Sequence, residues 1–332
     1  MYKINGALGS PYSMKMRALM RYRRIPHLWV HGADSRASLA KVRAPVIPVV
    51  EYPDGSFHND STPLIYDLEE RHNERSVIPP DPARAFLAHL LEDFGDEWVT
   101  KAMFGYRWLE EVDQIQMSRW LAFDAMKGGG LEQSQAYAAQ FRARQVGRMA
   151  IVGCTRENFP LIEASTRALL GALEAHCVNQ HCLFGTRPSM AEFGIYGQLS
   201  QLGVDPTPEM MMRADYPYGF RWLLHIDDMS GIDGDWDAPD APFAPIITQW
   251  LKIVGDVYMP FLLANAAAIE AGADTFSMTA MGHPYSQGTF KYQVKCLAEL
   301  RARYAALPDD ARARIAPVLA ETGCLAALAA SA

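Results

Sequence analysis

Near the N-terminus the spacing of apolar side chains switches between two periods. Tyr2 to Asn5 reads as a short strand, and apolar residues at 14, 16, 19, 20 and 22 then follow helical spacing until Ile25-Pro26 stops them. His27 to His31 predicts a second strand and Ser35 to Lys41 a short helix, which completes a strand-helix-strand unit. Val49 to Tyr52 and Ser56 to Asn59 read as the arms of a hairpin turned at Asp54-Gly55. Pro48 enters the first arm, where a residue without an N–H is tolerated, and the spacing leaves room for a cis bond there. Asp60-Ser61-Thr62 caps a further helix, Pro63 to Arg71.

Asn73 to Pro82, ending in Pro79-Pro80-Asp81-Pro82, reads as a linker, and almost everything beyond it has helical period. Phe86, Leu90, Phe94 and Trp98 fall on one face, extended by Phe104 and Trp108. Glu92, Asp93, Asp96 and Glu97 place like charges four residues apart on the same helix, so Arg84, Lys101 or Arg107 are expected as partners. Two more helices, Leu131 to Arg148 and Asn158 to Cys177, follow the turn at Gly128-Gly129-Gly130, and Ser189 to Glu192 forms a capping box. Later come a helix over Tyr216 to Met229 and a long apolar one, Ile246 to Ala271, kinked at Pro260. Met281 to Tyr292 reads as a polar-aromatic loop. It either lids a pocket with His283, Tyr285 or Tyr292, or packs the extra helices.

Composition narrows the class. With 332 residues, 49% hydrophobic and 21% charged, the chain is a globular protein long enough for two domains. A net charge of -7 argues against nucleic acid or an anionic membrane as partner, because both need excess Lys and Arg. No basic segment leads into an apolar run, so no secretory signal is expected. No apolar stretch is expected to reach the roughly 20 residues that span a bilayer. The longest, around Tyr258 to Ile269, is broken by Pro260 and Asn265. The 5 cysteines, at 154, 177, 182, 296 and 324, are irregularly spaced, which suits reduced thiols in a cytoplasm and matches no zinc pattern. Asp233 to Asp237 echoes a calcium loop, but Ala238 stands where glycine is needed, so a solvated acidic loop is expected and no metal.

The chemistry concentrates at Ser10-Pro11-Tyr12-Ser13. A hydroxyl at a helix start sits beside outward-pointing N–H groups and the positive end of the helix dipole, a place that suits an anion such as a thiolate. From this stretch alone, Ser10 or Ser13 as a plain N-cap is the favoured reading. Three motifs in order decide between these readings: Ser10-Pro11-Tyr12-Ser13, Ile47-Pro48-Val49, and Asp60-Ser61 before Pro63-Leu64-Ile65. Together they resemble the thioredoxin-like domain of the glutathione S-transferase superfamily, in its serine-type form. The capping box, placed after Leu183-Phe184-Gly185, resembles the one in the helical domain of that family.

The resemblance implies an α/β thioredoxin-like domain at 1–76, followed by an all-α domain at 83–330 that is enlarged by extra helices after about residue 203. It implies glutathione as co-substrate. Ser10, with Ser13 in reserve, hydrogen-bonds the sulfur; the Ile47 backbone beside cis-Pro48 pairs with the peptide; and Asp60 and Ser61 hold the γ-glutamyl amine and carboxylate. Many members carry Lys where Val46 stands, so the glycine carboxylate needs another cation: Arg43 foremost, or Lys41 or Arg36. A small, hydrophobic electrophile is expected between the domains against Tyr12, Phe104, Tyr106, Arg107 and Trp108. A two-fold homodimer is the usual assembly of such proteins, with the acidic first long helix at or near the interface unless the extra helices block it. A non-catalytic binding or scaffold protein on the same fold is the alternative. A thiol-disulfide reductase is disfavoured, since Ser10 stands where it would need cysteine.

Overall fold

The computed structural model describes residues 1–126 and 128–329, so the expected boundary at 330 lies outside the described residues. β1 (Tyr2–Gly6) pairs parallel to β2 (His27–His31) and antiparallel to β3 (Val49–Glu51), and β4 (Phe57–Asn59) pairs antiparallel to β3, giving the order β2-β1-β3-β4. A parallel pair needs a crossover, and α1 (Pro11–Tyr22) supplies it. A short α2 (Arg36–Leu39) and α3 (Ser61–Arg71) complete the thioredoxin-like domain. Gly55, with φ 84°, makes the β3–β4 turn, and the Ile47-Pro48 peptide is cis.

The rest is largely helical: α4 (Pro82–Phe94), a π turn over Gly95–Val99, α5 (Thr100–Leu109), α6 (Glu111–Ala125), α7 (Gly130–Val146), α8 (Phe159–Cys177) and α9 (Met190–Leu202). After these come α10 (Pro206–Asp215), α11 (Pro217–Ile226), α12 (Pro245–Ile253) and α13 (Met259–Glu270), the last two joined by a second π turn. α14 (Lys291–Ala305), α15 (Asp309–Glu321) and α16 (Leu325–Ala329) close the chain. Helix α9 lies at the centre. Its capping box forms as expected, Ser189 accepting from the Ala191 N–H while Glu192 reaches back to the Ser189 N–H. Gly197 brings α9 against the start of α1, where a Cβ would stand 2.7 Å from the Pro11 carbonyl oxygen. The stripe of Phe86, Leu90, Phe94 and Trp98 is buried.

Three expectations are corrected. The region after residue 83 is not all helix: β5 (Thr275–Ala280) and β6 (His283–Gly288) form a hairpin where a loop was expected, turning at Met281 and Gly282, both with positive φ. Phe276, Ala280, Tyr285 and Gln287 point inward on alternate positions, and Tyr285 joins Trp98 and Phe261 in an aromatic cluster instead of lidding a pocket. The helix expected over Tyr216 to Met229 is present as α11, and α10, which ends one residue before Tyr216, precedes it.

The acidic residues of α4 and the π turn do not pair with Arg84 or Arg107, which salt-bridge Asp237 and Asp205 instead. Lys15 of α1 takes Glu92 and Asp96. Finally, the continuous helix Pro245–Glu270 has 26 residues and a mean hydropathy of 1.3, long and apolar enough to cross a membrane by those measures. Here Ile247, Trp250, Leu251, Val254, Phe261 and Leu262 of that helix lie in the protein core.

Candidate functional site

Ser10 is the N-cap of α1. Its backbone is extended, its side chain accepts from the Ser13 N–H at 3.3 Å, and Pro11 occupies the first helical position. The sequence dictates this: serine satisfies an orphan amide, and proline has no amide to satisfy. The hydroxyl proton has no partner among the described residues, and the Tyr12 N–H is left over by helix geometry. Both sit at the positive end of the helix.

Ser10 opens into a cleft of about 570 Å³ between the sheet domain and the helices. Of the expected site residues, Ser10, Tyr12, Ile47, Phe104, Arg107 and Trp108 line it. Leu39, Met103, Leu121, Tyr137 and Phe141 add apolar wall, and Arg36 and Arg144 add charge. Ile47 belongs to no strand, and its N–H and C=O have no backbone partner among the described residues, so it presents an unused edge to the cleft.

Other expected residues lie elsewhere. Ser13 is fully buried, with its hydroxyl unpartnered beneath Gly6. Tyr106 faces away because helix period separates it from Phe104, Arg107 and Trp108; its ring stacks edge-on against Phe159 and its hydroxyl reaches the Met211 sulfur at 3.6 Å. Arg43 is exposed and outside the cleft lining, whereas Arg36 is in it. Arg36 donates to the Ala125 carbonyl at 3.0 Å, lies 5.8 Å from the Tyr137 ring centre and makes no ion pair among the described residues, although Asp124 also lines the cleft.

Arg107 is not a free cation. It is buried against Asp205 at 2.9 Å and donates to the Gly9 carbonyl at 2.8 Å. Gln201 donates to the Leu8 carbonyl at 3.1 Å. Together they tie the loop that carries Ser10 to the helical side. Gln201 and Asp205 were not legible as site residues: a buried amide on a helix and a buried acid in the position before the next one carry no local signal of what they hold.

Asp60 and Ser61 lie one ladder step beyond β4. Val49, the residue after Pro48, pairs with Asn59, the residue before Asp60, and the ladder ends there. Asp60 has φ 76°, a left-handed conformation that costs a non-glycine residue on the order of 1 kcal/mol. Ser61 is 4% exposed and its hydroxyl is turned inward, accepting from Lys15 Nζ at 3.0 Å and donating to Asp96 Oδ2 at 3.2 Å. The Lys15 ammonium also donates to Asp96 Oδ2 at 2.7 Å and contacts Glu92, while the Thr62 hydroxyl donates to Glu92 at 2.7 Å.

Burial would depress the Lys15 pKa, but Asp96 and Glu92 outweigh it and hold the ammonium well charged. Asp96 is pushed up to about 7 by burial, a rise that Lys15 limits. Glu97, one residue further, is likewise raised to about 7 by burial and held from going higher by Lys101. A buried ion pair therefore stands directly behind the first turn of α3 and joins it to α4.

Residues 5–76 match the family model described as glutathione S-transferase, N-terminal domain. No curated protein matches the chain. Among solved structures, a glutathione S-transferase from Methylobacterium radiotolerans in complex with glutathione sulfonate is 17% identical, with a TM-score of 0.42 over 73% of this chain and 98% of that one. One from Rhodospirillum rubrum is 17% identical, TM-score 0.43, over 76% and 92%. A third, from Methylobacillus flagellatus with glutathione bound, is 16% identical, TM-score 0.39, over 68% and 93%. These likenesses are too loose to bear on the role of any residue. The match to the glutathione S-transferase N-terminal domain thus covers the sheet domain of this chain, residues 5–76.

Proposed function

We propose that the protein binds glutathione and presents its thiolate to a small apolar electrophile, acting as a glutathione transferase. The observation that carries this reading is the free Ser10 hydroxyl at the start of α1, facing a large cleft opposite the unpaired Ile47 backbone. A free thiol has a pKa of about 8.5, and each unit of depression is worth about 1.4 kcal/mol to the thiolate. The Ser10 O–H and the Tyr12 N–H, with the helix dipole behind them, are donors that favour the anion.

On binding, the thiol proton leaves to solvent. The sulfur lone pair then forms a bond to the electrophilic carbon, and the leaving group departs with the electron pair of the bond that breaks. Ser10 donates a hydrogen bond throughout and carries no charge itself. The tripeptide runs along the Ile47 edge, with its glycine carboxylate toward Arg36, the cation in the cleft lining, in preference to Arg43. Its γ-glutamyl end lies at Asp60, where the first amides of α3 serve the α-carboxylate because the Ser61 hydroxyl is taken by Lys15 and Asp96. The electrophile lies against Met103, Phe104, Trp108, Leu121 and Phe141. On this reading residues 1–76 form the glutathione-binding domain and those from 83 onward hold the electrophile.

The test is calorimetric titration with glutathione. Saturable binding at or below millimolar concentration is expected, with competition by S-alkylated glutathione; no binding at that concentration would remove the enzyme reading.

A further inference from the structure

A second cavity, of about 600 Å³, lies on the far side of Asp60, between α3, α4 and α14. It is distinct in lining from the cleft at Ser10, and Asp60 follows the end of the ladder where Asn59 pairs with Val49, two residues from Ile47 of that cleft. Asp60 lines it together with Thr62, Tyr66, Tyr292, Lys295 and Arg303.

Three of these come from α14, within the long extension that the family motifs leave without a role. Tyr292 donates its hydroxyl to Asp60 Oδ2 at 3.4 Å. The start of α14 is held firmly: Asn265 donates to the Phe290 carbonyl at 3.0 Å and accepts from the Phe290 N–H at 2.8 Å. Cys296, Leu297 and Leu300 are buried beneath it.

Most other charges around this cavity are already spent. Arg303 is bound to Glu299 at 2.7 Å and lies over the Tyr66 ring, and Asp93 accepts from the Tyr258 hydroxyl at 2.6 Å. Asp67 accepts from Tyr52 and Arg71. Lys295 differs. It stands three residues after Tyr292, hence on the same face of α14, and has no ion-pair partner among the described residues. The cavity thus offers a carboxylate oriented by a tyrosine and an unpaired ammonium in one space, with Glu70 as a second carboxylate in its lining.

A ligand that matches both carries an ammonium and a carboxylate on one carbon. We infer that the C-terminal extension completes the seat of the γ-glutamyl group: Tyr292 orients Asp60 toward its ammonium, and Lys295 joins the first amides of α3 at its α-carboxylate. This rests on the proposed binding of glutathione. Tyr292 is a positioning residue acting through Asp60, and Lys295 a binding residue. Ordering Asp60 from the extension also gives the left-handed backbone at that residue a purpose.

The test measures glutathione affinity by calorimetry for the wild type, Tyr292→Phe, Lys295→Gln, Asp60→Asn and the double variant Asp60→Asn with Tyr292→Phe. Tyr292→Phe and Lys295→Gln are each expected to weaken binding about three- to tenfold, with unchanged thermal unfolding midpoints. In the Asp60→Asn background the tyrosine change should cost nothing further, which a merely structural role would not produce. Wild-type binding with both single variants unaffected, or an equal loss from Tyr292→Phe in both backgrounds, overturns the inference and leaves the glutathione site standing. Failure of the wild type to bind overturns both.

Discussion

At the scale of single residues, two serines three positions apart have opposite fates. Ser10 caps α1 and keeps its proton for the cleft; Ser13 is buried, with a hydroxyl that satisfies nothing. Ser13→Ala therefore removes an unpaired buried polar group, and the unfolding free energy from urea titration is expected to stay within about 0.5 kcal/mol of wild type or to rise. Ser10→Ala loses the cap and is expected to cost about 1 kcal/mol. A larger loss at 13 than at 10 would contradict this placement. Ser10 itself was legible in the sequence because a serine before a proline at a helix start is a local signal. The inward turn of the Ser61 hydroxyl was not, since it depends on Lys15 and on Asp96, which lies far along the chain. The same limit hid Arg107, which reads as a cation facing substrate and is in fact neutralised by Asp205.

At the scale of elements, helix starts were the most legible features and the hairpin the least. The capping box of α9 follows from four consecutive residues, and its consequences reach further than the helix. Glu192 accepts from the Ser189 N–H at 2.9 Å and from the Leu183 N–H at 2.6 Å, all buried. Glu192→Ala leaves two buried amides without partners and is expected to cost roughly 2–4 kcal/mol in denaturant unfolding at pH 5. Burial raises this carboxyl to about 7, above its unfolded value, so the folded state holds a proton that the unfolded state has lost. That contribution is complete below the unfolded pKa and falls away as pH climbs through about 7. The advantage of wild type over the variant should accordingly be smaller at pH 8 than at pH 5, and an advantage that grows with pH would contradict the assignment. The β5–β6 hairpin escaped notice because its strands carry Ser277, Thr279, Pro284 and Ser286 between the inward residues. Polar outward positions and one proline dilute a period of two over so short a span.

At the scale of the whole molecule, the sheet domain and the helices are joined through charges that neither could bury alone. Lys15 crosses from α1 to Glu92 of α4 and to Asp96 in the π turn beyond it, behind the first turn of α3. Lys15→Met leaves two buried carboxylates unpaired and is expected to cost about 3–5 kcal/mol at pH 8. With Asp96 already raised to about 7, protonation relieves that cost at lower pH, so the penalty should shrink by pH 5; a penalty independent of pH would mean the pair is not the join. The sequence shows the acidic cluster but not its partner, because Lys15 and Glu92 are brought together only by folding. The extension is the other feature that sequence left without a purpose. Helices α14 and α15 both pack on α4, the acidic helix expected at or near a dimer interface, and α14 carries Tyr292 to Asp60. The central claim remains the thiolate at Ser10, and the measurement that tests it most directly is the ultraviolet thiolate absorbance of glutathione bound at neutral pH. It should develop on titrating the wild type and be lost in Ser10→Ala while calorimetry still detects bound tripeptide. An undiminished thiolate signal in Ser10→Ala would contradict it.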